Sequence, residues 1–163
     1  MHIFEDEWKN KQDICKSYIK QALKLNKQID ANDLQVKRIS AERAKIFIDA
    51  NCIFDVNLKR EIASYGLFEK DKMLFACSFA KIKANKYEII GFCNLIGFDV
   101  ISAIDVVCRQ FKDDFQPSYV KCRVDRRFYS ELNFQDCESF TTQFFEKIDF
   151  YYVSYGCKYR MHN

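Results

Sequence analysis

The chain has 163 residues, 48% apolar and 30% charged, with 16 phenylalanines and 9 tyrosines, a composition that excludes an intrinsically disordered protein and supports one domain with a substantial core. Its formal net charge of +3 is too small to imply nucleic-acid binding by itself, so an electrostatic argument must rest on where the charges cluster. No apolar run approaches the roughly 20 residues that span a bilayer, and no secretory signal precedes the first helix, so a soluble, cytoplasmic protein without a membrane partner is expected.

Residues 5 to 27 read as one amphipathic helix, with Trp8, Cys15, Ile19, Ala22 and Leu23 on one side at the 3.6-residue period. On another face Lys9, Lys16, Lys20 and Lys27 project within a band roughly 40° wide, taking about 100° per residue. That stripe reads first as a solvated face and second as a surface that meets phosphates. The opening "HIFEDEW" crowds Glu5, Asp6 and Glu7 together, which raises the question of a divalent metal. In a first helical turn these acids are explained by the positive N-terminal end of the helix. His2 and His162 stand at opposite chain ends and suggest no ligand set.

"LQVKRI" at 34–39 alternates like a half-buried strand, and Ser40 offers a hydroxyl cap to a helix "AERAKIFIDA" that buries Ala44, Phe47 and Ile48. "NCIFDVNLKRE" has no period and reads as a loop. "IASYGLF", "MLFACSFA" and "YEIIGFCN", joined by the polar links "EKDK" and "KIKANK", predict an antiparallel meander. In "DVISAIDVVCRQFKDDF" Val100, Ala103, Ile104, Val107 and Phe111 recur at helical spacing, and Pro117 marks the exit. "YVKCRV" is a further strand, "FYSEL" a helical turn, and "FQDCESF" and "FYYVSYG" two final strands. The order predicts an α+β protein, one mixed sheet with helices on both faces, preceded by an N-terminal amphipathic helix. The expected division is a helical appendage over 1–30 and a domain over 31–163.

The eight cysteines, Cys15, Cys52, Cys77, Cys93, Cys108, Cys122, Cys137 and Cys157, fall about one per element with no CxxC. Reduced, buried thiols are expected, and no metal site.

The element order resembles the GNAT acyltransferase fold. "VDRRFYSELNF" is similar to that family's strand, short helix and tyrosine signature, with Tyr129 and Phe134 in register and Asn133 where glycine is usual. "YEIIGFCN" followed by "DVISAIDVVCRQF" looks like the central strand and cofactor-loop helix. More narrowly, "HIFEDEW" and "DRR" resemble segments of phage-type, Vsr-like homing endonucleases, which carry a GNAT-like C-terminal domain. The resemblance implies that the chain retains the region C-terminal to the nuclease and lacks the nuclease core. Heavy use of isoleucine, lysine, asparagine and phenylalanine also fits an AT-rich, phage-like genome.

The GNAT resemblance implies that coenzyme A is held by backbone amides of a glycine-rich turn opening a helix, where glycine permits unusual dihedrals and close approach. Here Val100, Ile101, Ser102 and Ala103 occupy that turn, none of them glycine, and Gly97 falls before it. A lost or altered cofactor site is expected. In an active acyltransferase with acetyl-CoA, Ser102 and Ala103 would bind the cofactor, Tyr129 would protonate the departing thiolate and Glu88 would act as base. Each also has a plain packing or surface explanation. Gly91 stands where the nuclease-associated domains tend to show arginine.

"KCRVDRR" and "KYRMHN" place Arg123, Arg126, Arg127 and Arg160 beside tyrosines, a pairing that suits phosphate contact and stacking as well as protein interfaces. Asp125 is a ready partner for Arg126 or Arg127. The expected function is that of a non-catalytic phage or mobile-element protein, without cofactor, working in the host cytoplasm. It would bind nucleic acid or a nucleic-acid-handling complex, for instance inhibiting a host defence nuclease in the manner of an anti-CRISPR or anti-restriction protein. Its contacts would be Lys9, Lys16, Lys20, Lys27, Arg123, Arg126, Arg127 and Arg160. The alternative is an acyl-CoA-dependent N-acyltransferase acting on a protein amine or nucleobase.

Overall fold

The computed structural model describes residues 1–125, 127 and 128 with their side chains, and the backbone of 140–145, 149–154 and 157–162. At the N-terminus the single helix expected to residue 27 is two helices and a strand: α1 (Glu5–Asn10), α2 (Gln12–Ala22) and β1 (Lys27–Asp30). The break falls at Lys11, whose φ of −134° and ψ of 43° end one helix and start the next. Its ammonium turns inward and donates to the carbonyl of Ile53 at 3.0 Å and to Asp55 at 2.8 Å. Helix α2 stops in a Schellman turn, with Lys24 left-handed at φ 56° and Leu25 N–H donating to Lys20 C=O at 2.8 Å. The buried side of α2 is Ile14, Cys15 and Tyr18, whereas Trp8 and Leu23 are exposed, a shift from the expected face.

The strand "LQVKRI" is β2 (Gln35–Ile39), and Ser40 caps α3 (Ala41–Asn51) by accepting from Arg43 N–H at 3.2 Å. Residues 52–60 carry no regular element. The meander is β3 (Glu61–Glu69), β4 (Lys72–Lys83) and β5 (Lys86–Asn94). The predicted helix over 99–115 divides instead into β6 (Phe98–Ile101) and α4 (Ala103–Phe115). Val100 and Ile101 are β-branched and take the strand. They are held there because β6 pairs in parallel with β1, with Val100 opposite Ile29. Ser102, left-handed at φ 59°, turns the chain into α4.

After β7 (Tyr119–Asp125) come β8 (Phe140–Phe145), β9 (Asp149–Ser154) and β10 (Cys157–His162). The strand expected at 134–140 meets β8 only at Phe140; the rest of it, and the helical turn beyond Phe128, lie outside the described residues. β9 overlaps the predicted final strand, and β10 pairs with it antiparallel.

The main sheet has the order β2-β3-β4-β5-β7-β8; its first three pairings are antiparallel and the last two parallel. Consecutive side chains on a strand point to opposite faces. Ala76, with Cys93, packs against Phe47 and Ile48 of α3, while Cys77 lies in the cluster that contains Val107, Cys108 and Phe111 of α4. The protein is therefore mixed α+β with helices on both faces of its sheet. Residues 1–30 dock through Ile14, Cys15 and Tyr18, which pack on Ile53, and through the β1–β6 ladder.

The core under α4 is an aromatic stack. Phe111 lies parallel to Phe79 with ring centroids 3.9 Å apart, stacks on Phe115 at 4.7 Å, and meets the edges of Tyr65 and Tyr87. Tyr65 donates its hydroxyl to Asp114 at 2.5 Å, which ties the stack to the end of α4. Phe111→Ala is expected to cost about 3–5 kcal/mol, read as a fall in the urea midpoint with the slope of the transition unchanged.

Candidate functional site

A recess forms where β5 and β7 part. Their parallel pairing runs from Lys86↔Tyr119 to Ile89↔Cys122 and stops. On the other edge of β5, Phe79 faces Ile89 while Ser78 faces Gly91, so Ile90 is an extra residue, a bulge that bends the strand. Beyond it, Ile90–Phe92 and Arg123–Asp125 diverge and line a cleft of about 630 Å³. Asn10 and Lys11 close one end; Ile53–Asn57 and Arg60 form its roof.

Gly91 lets that roof come down. A Cβ there would stand 2.6 Å from Val56 Cγ1, well inside contact distance. The position that sequence resemblance marks for an arginine is thus filled by the loop.

Glu88 sits at the cleft floor with both oxygens engaged: Oε1 accepts from Arg60 at 2.8 Å and Oε2 lies 3.3 Å from the Lys121 ammonium. A general base must offer an oxygen to its substrate. Glu88 offers both to cations, which is the geometry of an ion-pair hub. Tyr129, its partner in the acyltransfer reading, lies outside the described residues.

The cleft's far end is a buried clamp. The Arg127 guanidinium donates through Nε to Asp125 at 2.9 Å and lies 3.2 Å from Glu7, with side-chain exposures of 9% for the arginine, 0% for Asp125 and 7% for Glu7. It also stands 4.7 Å from the ring centre of Phe4, 5.0 Å from Phe128 and 6.0 Å from Phe54. Glu7 accepts the Phe4 N–H at 2.9 Å as well, the N3-to-N-cap half of a capping box. The acid in the opening stretch thus answers to an arginine 120 residues away as well as to its own helix end. No group of three metal-ligating side chains forms among the described residues. Arg127, expected at a partner surface, is committed to the interior.

The expected lysine stripe does not survive as one face. Lys9, on α1, pairs with Glu5 at 2.8 Å; Lys16, on α2, lies 3.7 Å from Asp13 and donates to Gln12 at 3.1 Å; Lys27 belongs to β1. A different grouping takes its place. Lys27 and Lys72 stand over Phe98 at 5.6 and 4.3 Å from its ring centre. Gln21 Nε2 donates to Asp99 at 3.3 Å, which brings the end of α2, with Lys20 and Lys24, against the same strand. Burial pushes the Asp99 carboxyl above its ordinary range. Leu23 and Leu25 are 63% and 68% exposed beside these lysines. Lys72 and the hairpin lysines 81, 83 and 86 were not singled out in the sequence, where they appear only as polar breaks between strands. Arg123 lines the cleft as an exposed residue, Arg126 lies outside the described residues, and Arg160 falls on β10 opposite Tyr151.

The turn that would cradle a diphosphate does not fit that group. Phe98–Ile101 is laddered to β1, Val100 and Ala103 are buried, and Ser102 alone is left-handed. Gly97, at φ 83°, gives its N–H to Ser17 Oγ at 3.0 Å and its carbonyl to Lys27 N–H at 3.0 Å, so its freedom serves the docking of α2 and β1.

No described helix is long and apolar enough to cross a membrane. Comparison with family models, curated proteins and solved structures gives no match to this chain.

Arg127→Ala leaves Glu7 and Asp125 buried without their cation and is expected to destabilise the fold by about 3–5 kcal/mol, measured by chemical denaturation. Gly91→Ala is expected to cost about 1–3 kcal/mol by overpacking, with most of the loss recovered by adding Val56→Ala. Equal effects in both backgrounds would show that the loop does not rest on Gly91.

Proposed function

We propose that this is a non-catalytic binding protein of phage or mobile-element type, with a GNAT-like scaffold descended from the tail of a homing endonuclease. Its target is a nucleic acid or a nucleic-acid-handling complex, and inhibition of a host defence nuclease is the physiological role that suits such a binder. The observation that carries the reading is the pair Lys27 and Lys72 over Phe98, neither of which has a carboxylate within ion-pair distance among the described residues. Cations held without internal partners are suited to phosphates or to an acidic protein face. The exposed Leu23 and Leu25 favour a protein component of such a complex over bare nucleic acid, because a phosphate backbone has little use for leucine.

The second reading, an acyl-CoA-dependent N-acyltransferase, draws on the cleft between β5 and β7, whose volume lies within the usual range for small-molecule sites. It requires the coenzyme to be held away from residues 100–103 and a base other than Glu88. Calorimetric titration with acetyl-CoA separates the readings: the binding proposal expects no saturable heat, and a stoichiometric isotherm would replace it with the acyltransferase.

A fluorescence-anisotropy titration with a 30-base duplex and its single strand tests the phosphate arm. Direct binding should weaken steeply with salt, log affinity falling by roughly 0.7–0.9 per phosphate contact and decade of salt. The double substitution Lys27→Glu, Lys72→Glu should lower affinity more than tenfold at low salt. Absence of binding by either probe at low salt would leave the protein-partner arm, and no effect of the double substitution would remove this patch from the site.

A further inference from the structure

The end of the main sheet where β4 turns into β5 carries a concentration of cations that neither functional reading draws on. One row of residues crosses four strands there: Glu61 on β3 faces Ala80 on β4, Ala80 faces Glu88 on β5, and Glu88 faces Lys121 on β7. Beyond that row the segments 59–60, 81–87 and 117–120 hold Lys59, Arg60, Lys81, Lys83 and Lys86 and no acidic residue. All five are exposed. The two acids in the row are engaged by neighbours, Glu61 by the Ser64 hydroxyl at 2.8 Å and Glu88 by Arg60 and Lys121. Lys59, Lys81, Lys83 and Lys86 have no carboxylate within ion-pair distance among the described residues. The fold also fixes where these lysines stand. Lys83 and Lys86 are direct cross-strand partners on either side of the two-residue turn Ala84–Asn85, which sets their Cβ atoms about 5 Å apart, and Lys81 follows about 7 Å along the strand. Asn85 is left-handed at φ 55°, and its carbonyl accepts from both the N–H and the hydroxyl of Ser118, at 2.9 and 2.8 Å. The turn is thereby clasped to the lead-in of β7.

We propose that this hairpin end is a second contact surface and that its ligand is the phosphate backbone of double-stranded nucleic acid. The proposal rests on the binding reading for the nature of the target and not for the surface, which lies at the opposite end of β4 from Lys72. Like charges closer than the roughly 8 Å screening length of physiological salt repel one another. A duplex offers one negative charge per roughly 1.7 Å of its axis, dense enough to meet Lys81, Lys83 and Lys86 together. A platform for single strands needs open aromatic faces; here Tyr87 is buried, and the Lys86 ammonium stands over Tyr119 at 5.9 Å from its ring centre. A protein interface favours aromatic and apolar anchors, and at this end Ile82 is the one large apolar side chain exposed among the described residues. Phosphate contacts carry no base information, so binding here is independent of sequence.

The test is fluorescence anisotropy of the full chain with a 30-base-pair duplex at low salt, beside urea denaturation of each variant. Lys83→Glu sets a carboxylate opposite Lys86 and should weaken binding about three- to tenfold, while the urea midpoint does not fall, because a cross-strand repulsion becomes an attraction. The neutral triple substitution Lys81→Gln, Lys83→Gln, Lys86→Gln should lower affinity more than tenfold and reduce the slope of log affinity against log salt by about two to three, whatever the duplex sequence. Wild-type affinity in these variants would overturn the proposal; if Lys27→Glu, Lys72→Glu abolishes binding in the same experiment, the binding reading stands and this surface falls. Absence of duplex binding by the unaltered chain would overturn it, as would tighter binding of the single strand. Affinity lost only together with a fall in the urea midpoint would assign these lysines to the fold and overturn it as well.

Discussion

The structure turns on one buried cation. Arg127 lies between carboxylates from α1 and from the end of β7, Glu7 and Asp125, and among the rings of Phe4, Phe54 and Phe128. A guanidinium in such surroundings costs several kcal/mol unless it is paired and hydrogen-bonded, and no single partner here satisfies it. The assembly forms only when α1, the 52–57 loop and the end of β7 are all in place. It therefore works as a register pin: α1 cannot slide along the sheet without leaving a buried charge exposed to apolar walls. With α1 so placed, Lys11 reaches the carbonyls of residues 52 and 53, and the helix pair must break where it does.

The cleft is the consequence of two local departures acting at one place. The bulge at Ile90 ends the β5–β7 ladder, and the missing side chain at Gly91 admits Val56 from the loop above. Without the bulge the two strands would continue to pair and leave no gap. Without the glycine the roof would stand off, opening a wider, wetter channel. What remains is a recess whose charged residues largely neutralise one another: Lys11 with Asp55, and Glu88 with Arg60 and Lys121. Such a lining gives the cleft little net field, so electrostatic attraction of an anionic partner must come from elsewhere on the surface.

The elements whose signals are local were legible in the sequence. Alternation located β2, apolar runs between the polar links located the meander, the Ser40 hydroxyl marked the start of α3, and the lack of period at 51–61 matched a stretch without regular structure beyond Asn51. The errors share one cause. Periodicity extends a helix for as long as apolar spacing permits, but α1 ends for the sake of acceptors more than 40 residues away, and Phe98–Ile101 becomes a strand because β1 arrives beside it. The lysine stripe failed with the helix that was to carry it. The pairing of Asp125 with Arg127 was readable as a short-range option, whereas Glu7 with Arg127 joins residues that no window on the sequence sees together.

The net charge of +3 conceals a division of labour among the cations. Lys11, Arg60, Lys121 and Arg127 each face a carboxylate and hold the fold together. Lys27 and Lys72 meet over Phe98 at the start of β4, while Lys81, Lys83 and Lys86 lie around its end, with Lys83 directly opposite Lys86 in the hairpin. Like charges set opposite each other on paired strands destabilise the hairpin that carries them. Folding gains nothing from that arrangement, since polar residues of either sign would end the strands as well. A surface that concentrates repulsion at its two ends while neutralising its cleft is one whose free energy falls when an anionic surface approaches.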